Sequence, residues 1–198
     1  MSGESVGEAL RYLVPPPAEG GTPLDRDRMR ASWGREFPAD YRKFVETYGA
    51  GSVEGCLVIQ QPAYKDAEPT SPYGGMLLET INAEAAWARE RKSPQLEGTD
   101  PVLIAWGVTT SSDLLCWDAS DGDPAAWPVL VRNRDDDLWR RYDCGMVAFL
   151  VRVLRAEFDE CPLGDLTLWG RGPALFLTET EQKRLWARGV NPWEGKGS

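Results

Sequence analysis

Between Pro101 and Tyr142 the chain alternates short apolar runs with turn residues, and this pattern constrains the fold more than any other. Val102-Leu103-Ile104-Ala105-Trp106, Leu114-Leu115-Cys116-Trp117 and Pro128-Val129-Leu130-Val131-Arg132 have the length of strands and are too short for helices. Thr109 to Asp113 and Asp121-Gly122-Asp123-Pro124 separate them with turn-forming residues. Asp137 to Tyr142 is expected as a fourth strand. Strands joined by turns this short pair antiparallel.

Helical spacing takes over on both sides of this region. Met146, Phe149, Leu150, Val153, Leu154 and Phe158 form an apolar stripe, with Asp143 as the expected N-cap. A helix this apolar must lie against the sheet. Upstream, Tyr41, Phe44, Val45 and Tyr48 fall at i, i+3, i+4 and i+7 behind Pro38, and Gly49 stands where a left-handed residue ends a helix. Gly51 to Gly55 then turns the chain into a short strand, Cys56 to Ile59. Further helices are expected over Glu4 to Leu13, over Thr22 to Trp33 with Thr22 as N-cap, and over Glu79 to Arg91 with Ile81, Ala85 and Ala88 on one side. Thr178 to Ala187 reads as a last short helix, and Pro62 to Gly75 as a surface loop in which Tyr64 and Tyr73 could touch a partner. The order is α+β: an antiparallel or mixed sheet of about four to six strands packed against helices. One domain is expected, with a core of about 22–158 and residues 159–198 as an extension packed on it.

Composition narrows the chemistry. The chain of 198 residues has no His, which excludes Ser-His-Asp and Cys-His nucleophilic sites and zinc sites that need imidazole within this chain. The formal net charge of −9 opposes binding to a phosphate backbone and favours a cationic partner. No stretch reaches the length of apolar residues that a membrane helix needs, and the N-terminus does not read as a secretion signal. The four cysteines (Cys56, Cys116, Cys144, Cys161) lack CxxC spacing and are expected as reduced thiols in a cytoplasmic protein.

Three segments carry a resemblance. Phe37-Pro38-Ala39-Asp40-Tyr41-Arg42-Lys43-Phe44, followed by Tyr48-Gly49-Ala50-Gly51, resembles the helix of the SUKH superfamily that opens on Leu-Pro and an aromatic residue and ends in a Gly-rich turn. Trp106-Gly107-Val108-Thr109, Asp113 to Trp117, Asp123-Pro124 and Trp127 to Val131 resemble that family's strand core. Gly145 to Leu150 is similar to its terminal packing helix. The family pattern has Gly before the Asp of the first turn, where this chain has Ser112. The resemblance implies a non-catalytic bacterial immunity protein that binds and neutralises a cognate toxin, such as a nuclease, without a cofactor. Its relatives also include cytosolic regulatory or scaffolding modules. A small-ligand binder or carboxylate-based enzyme is the remaining alternative.

The candidate binding residues are acidic. Asp113 to Asp143 holds eight Asp against four Arg, −4 of the total −9. Asp121, Asp123, Asp135, Asp136 and Asp137 could form one face toward a basic toxin surface, or they could simply be solvated turns. Trp139, flanked by charged residues, is expected as an exposed anchor beside them. Asp118 to Asp123 fails the calcium-loop pattern, which wants Gly at its sixth position and Glu at its twelfth. No metal, cofactor or catalytic residue is assigned.

Overall fold

The computed structural model describes residues 5–62, 64 and 75–194. Its centre is one mixed sheet of eight strands: β1 Gly51–Val53, β2 Leu57–Ile59, β3 Arg91–Lys92, β4 Leu103–Thr109, β5 Leu114–Asp118, β6 Val129–Asn133, β7 Leu138–Tyr142 and β8 Phe176–Thr178. The spatial order is β3-β7-β6-β5-β4-β2-β1-β8, with every neighbour antiparallel except β3 and β7. The α+β class is as expected, and the sheet is larger than four to six strands. The additional strands, β1, β3 and β8, have only two or three residues. Strands this short carry no readable period and exist because a neighbour pairs with them.

Six helices accompany the sheet among the described residues: α1 Val6–Leu13, α2 Arg26–Trp33, α3 Ala39–Tyr48, α4 Gly75–Trp87, α5 Met146–Leu154 and α6 Glu179–Ala187. They make a three-layer arrangement, because successive strand residues point to opposite faces. Ile104, Trp106, Leu115, Trp117, Val129 and Val131 face a core shared with α1, α3 and α5. Leu103, Ala105, Leu114, Cys116, Leu130 and Trp139 face a second core against α4. Covering both faces explains why β4 and β5 read as continuous apolar runs. A shift of register between Ala105 and Gly107 marks a bulge at Trp106.

The first core is aromatic. Trp117 contacts Phe37, Tyr41, Trp106 and Trp127, and Trp106 leads on to Phe149. Two phenols buried in this core are satisfied: Tyr41 donates to the Gln60 carbonyl at 2.7 Å and Tyr48 to the Val14 carbonyl at 2.7 Å. Leu163, Leu168, Ala174 and Phe176 belong to this same core, and β8 pairs with β1, so the C-terminal stretch completes the sheet.

Four local expectations are corrected. α2 starts at Arg26, because the Asp25 carboxylate accepts from the Asp27 and Arg28 amides at 3.1 and 3.0 Å; Thr22 is not its cap. α4 spans Gly75–Trp87 rather than Glu79 to Arg91. Its buried side is Met76, Thr80, Ala83, Ala86 and Trp87, and Ile81, Ala85 and Ala88 face solvent. α5 is not capped by Asp143, which instead accepts from Arg141. Gly145 is its N-cap, and the Asp40 carboxylate of α3 accepts from the Val147 amide at 3.1 Å. A Cβ at position 145 would lie 2.8 Å from that carboxylate, so the glycine lets α3 reach the start of α5. The expected contact residue Tyr73 lies outside the described residues; Tyr64 is partly buried with Arg28 over its ring at 4.4 Å.

Candidate functional site

The acidic candidates divide between the two ends of the sheet. Asp121 and Asp123 lie in the connection before β6, and Asp135, Asp136 and Asp137 in the turn after it. The five residues of β6 alone place roughly 14 Å between these turns. The five carboxylates therefore do not form one continuous face.

At the far end the carboxylates of Asp136 and Asp137 are occupied. Asp137, at a left-handed φ of 49°, accepts from Arg132 at 3.0 Å and Arg134 at 2.7 Å. Asp136 accepts from the Leu138 amide at 3.1 Å and from Arg140 at 2.7 Å. Arg132 is the centre of this group. Its guanidinium is held in a fork by Glu90 at 2.5 and 2.6 Å and also donates to the Ser112 carbonyl, with a side chain only 10% exposed. That pairing holds Arg132 firmly in its charged form, since the Glu90 hydrogen bonds outweigh the opposing effect of burial. Asp135 is exposed, next to Gly164, and its amide donates to Asn133.

Asp113 sits at the base of this end and is fully buried. Its carboxylate accepts from the Arg134 amide at 2.8 Å, the Gly164 amide at 3.1 Å and the Thr109 hydroxyl at 2.9 Å. It thus ties the β4–β5 turn, the β6–β7 turn and the loop after α5 together. The turn that carries it needs a left-handed residue, and Ser112 supplies it at φ 68°.

The opposite end is different. The Asp121 carboxylate accepts from the Asp123 amide at 2.7 Å, and the Asp123 carboxylate accepts from the Ala125 amide at 2.9 Å. Each uses one oxygen to fix its own loop, and neither forms an ion pair among the described residues. The loop is anchored from below: the indole N–H of Trp127, a buried residue, donates to the Asp121 carbonyl at 2.8 Å. Arg35 lies over the Trp127 ring at 5.8 Å and donates to the Ala119 carbonyl. The result is a pair of exposed carboxylates on a rigid base, beside a shallow cleft of about 420 Å³ between Gly34–Glu36 and Ser120–Trp127.

Trp139 is not an exposed anchor. It is fully buried beneath α4, edge-on to Trp87 with ring centroids 5.2 Å apart. The structural residues that sequence reasoning passed over are Asp40, Glu90 and the buried role of Asp113. Asp40 meets α5 and Glu90 meets β6 across 107 and 42 positions of chain, so no local signal marks either.

The four cysteines are free thiols. Burial pushes Cys56 up to about 11, with Asp165 adding to the shift, and raises Cys116 further. Among the described residues no three Cys, Asp or Glu side chains converge as a metal site, and no helix is long and apolar enough to cross a membrane. Comparison with family models, with curated proteins and with solved structures finds no match.

Proposed function

We propose that this chain is a SUKH-like protein-binding module, and specifically an immunity protein that neutralises a toxin with a basic surface. The observation that carries the binding reading is the Asp121–Asp123 loop. Two exposed carboxylates, without a paired cation among the described residues, are held by backbone bonds and a buried indole, so little entropy is lost when a guanidinium or ammonium group docks there. The left-handed φ at Ser112 also supports the family reading, because it falls where the family pattern has Gly. The partner's role as a toxin, and a cytoplasmic place of action, rest on the resemblance.

Co-purification from the native cell followed by a protection assay tests this. A toxin encoded beside this gene should bind and lose its activity. If that protein neither binds nor is neutralised, the immunity reading fails for the pair. A housekeeping protein recovered in stoichiometric amount would point to a regulatory module instead. Charge reversal of Asp121 and Asp123 together to Lys should slow association about ten-fold at low salt and flatten its salt dependence. Unchanged kinetics would remove the loop from the interface.

A further inference from the structure

α4 buries one side, Met76, Thr80, Ala83, Ala86 and Trp87, and leaves the other apolar as well. On that outer side Leu77, Leu78 and Ile81 are 54, 47 and 52% exposed, followed by exposed Ala85 and Ala88. The helical winding continues past Trp87: the Ala88 amide donates to the Glu84 carbonyl at 3.1 Å and the Glu90 amide to the Ala86 carbonyl at 2.9 Å. Leu78, Ile81, Ala85 and Ala88 therefore follow one another at steps of three, four and three residues, the spacing of a seam between two helices.

The charges that border this stripe decide what can lie against it. Glu84 stands on one flank and Arg89 on the other; both are exposed, and neither forms an ion pair among the described residues. The Arg89 Nε donates to the Ala85 carbonyl at 3.0 Å, which draws the guanidinium back along the helix toward the level of Glu84. The other carboxylates nearby are directed elsewhere. Glu79 shares the side of Ala83 and Ala86 and accepts from Asn82 at 3.2 Å, and Glu90 is held by Arg132. A stripe with an acid on one flank and a base on the other is complementary to a parallel copy of itself. Two-fold rotation about an axis along the helix sets Glu84 of each copy toward Arg89 of the other, with the five-residue offset at which the flanks of parallel helices meet. Turned antiparallel, the same stripe would set Glu84 against Glu84.

We propose that α4 is a self-association face: it pairs in parallel with α4 of a second copy of this chain, with Leu78 and Ile81 in the seam and two Glu84–Arg89 pairs bordering it. The inner side of α4 is committed to its own sheet, so one partner fills the face and the assembly closes as a dimer. A seam of about three turns covers less than the ~1,000 Å² of a stable interface, so the dimer is weak and driven by concentration. This inference is independent of the acidic loop and of the immunity reading.

Sedimentation equilibrium on the full chain tests it. Monomer and dimer should both be populated between about 10 and 500 µM, and Ile81→Glu should leave only monomer. Glu84→Lys and Arg89→Glu should each weaken the dimer by about ten-fold or more, and the two together should recover it, because the swap restores both pairs. All three positions are exposed, so the urea midpoint of each variant in dilute solution should match that of the native chain. Ala85→Cys reads the orientation. In the parallel pair position 85 meets its own copy, so glutathione disulfide should yield a disulfide-linked dimer that the native chain does not give. The proposal is overturned by a native chain that stays monomeric over the whole range, by a dimer that Ile81→Glu leaves intact, by a double charge swap as weak as either single variant, or by Ala85→Cys that fails to link.

Discussion

Asp113 shows how a surface-looking residue becomes a structural one. It holds three donors from three segments with no exposure, so replacing it with Ala would strand two backbone amides and a hydroxyl. Each stranded group costs about 1–3 kcal/mol, so Asp113→Ala should lower stability by at least about 3 kcal/mol in urea unfolding. Ser112 beside it predicts a change of opposite sign. Relief of its left-handed backbone by Ser112→Gly should stabilise by about 0.5–1 kcal/mol, after the entropy that Gly gains when unfolded is subtracted. Trp139 shows why one expectation failed. Arg140 next to it points to the other face of β7, and Arg141 on its own face reaches out to Asp118 and Asp143, so flanking charge says nothing about exposure. Trp139→Ala should cost about 3–5 kcal/mol of stability through the lost contact with Trp87.

Among the elements, those with a long apolar period were legible and those made by pairing were not. α3 and α5 carry full stripes, and β4, β5 and β6 are bounded by turn residues, so their positions follow from local chemistry. α4 is apolar nearly all round, with Leu77, Leu78 and Ile81 about half exposed, so periodicity could not choose its buried side. The sheet chose the side bearing Trp87, with small Ala83 and Ala86 allowing close approach. Of the candidate residues, the turn positions of the Asp were legible, but not which end of the sheet each would reach or which Arg would claim it. The join between the turn after α4 and β6 gives an element-scale prediction. Glu90→Gln should leave Arg132 short of a counter-charge and destabilise by about 2–3 kcal/mol, below the range for a fully enclosed pair because Glu90 keeps 19% of its side chain exposed. Glu46→Gln at the surface should change stability by less than about 0.5 kcal/mol.

For the molecule as a whole, the missing His and the buried phenols and thiols set the pH response. Burial pushes Tyr48 and Tyr142 up to about 12 and raises Tyr41 well above its ordinary value, with Cys56 up to about 11. These folded values exceed the unfolded ones, so the folded chain holds more protons in alkali. Their contribution is complete below about pH 8.5 and is lost as pH rises through the folded values. The urea midpoint should therefore be flat between about pH 6 and 8 and fall steadily above about pH 9. A midpoint that stayed constant to about pH 11 would contradict the burial of these groups.

The sheet finishes in two very short strands, β3 with two residues and β8 with three. An approaching β-segment would find only a few open hydrogen-bond positions there, which is how natural sheets discourage templated self-association. The protection has a weak point. Removing residues from Phe176 onward would bare β1, whose Gly51, Ser52 and Val53 are all buried, as a new sheet border. Such a truncated chain should scatter light and bind thioflavin T at concentrations where the full chain stays clear. The C-terminal tail would then be acting as a stopper against polymerisation.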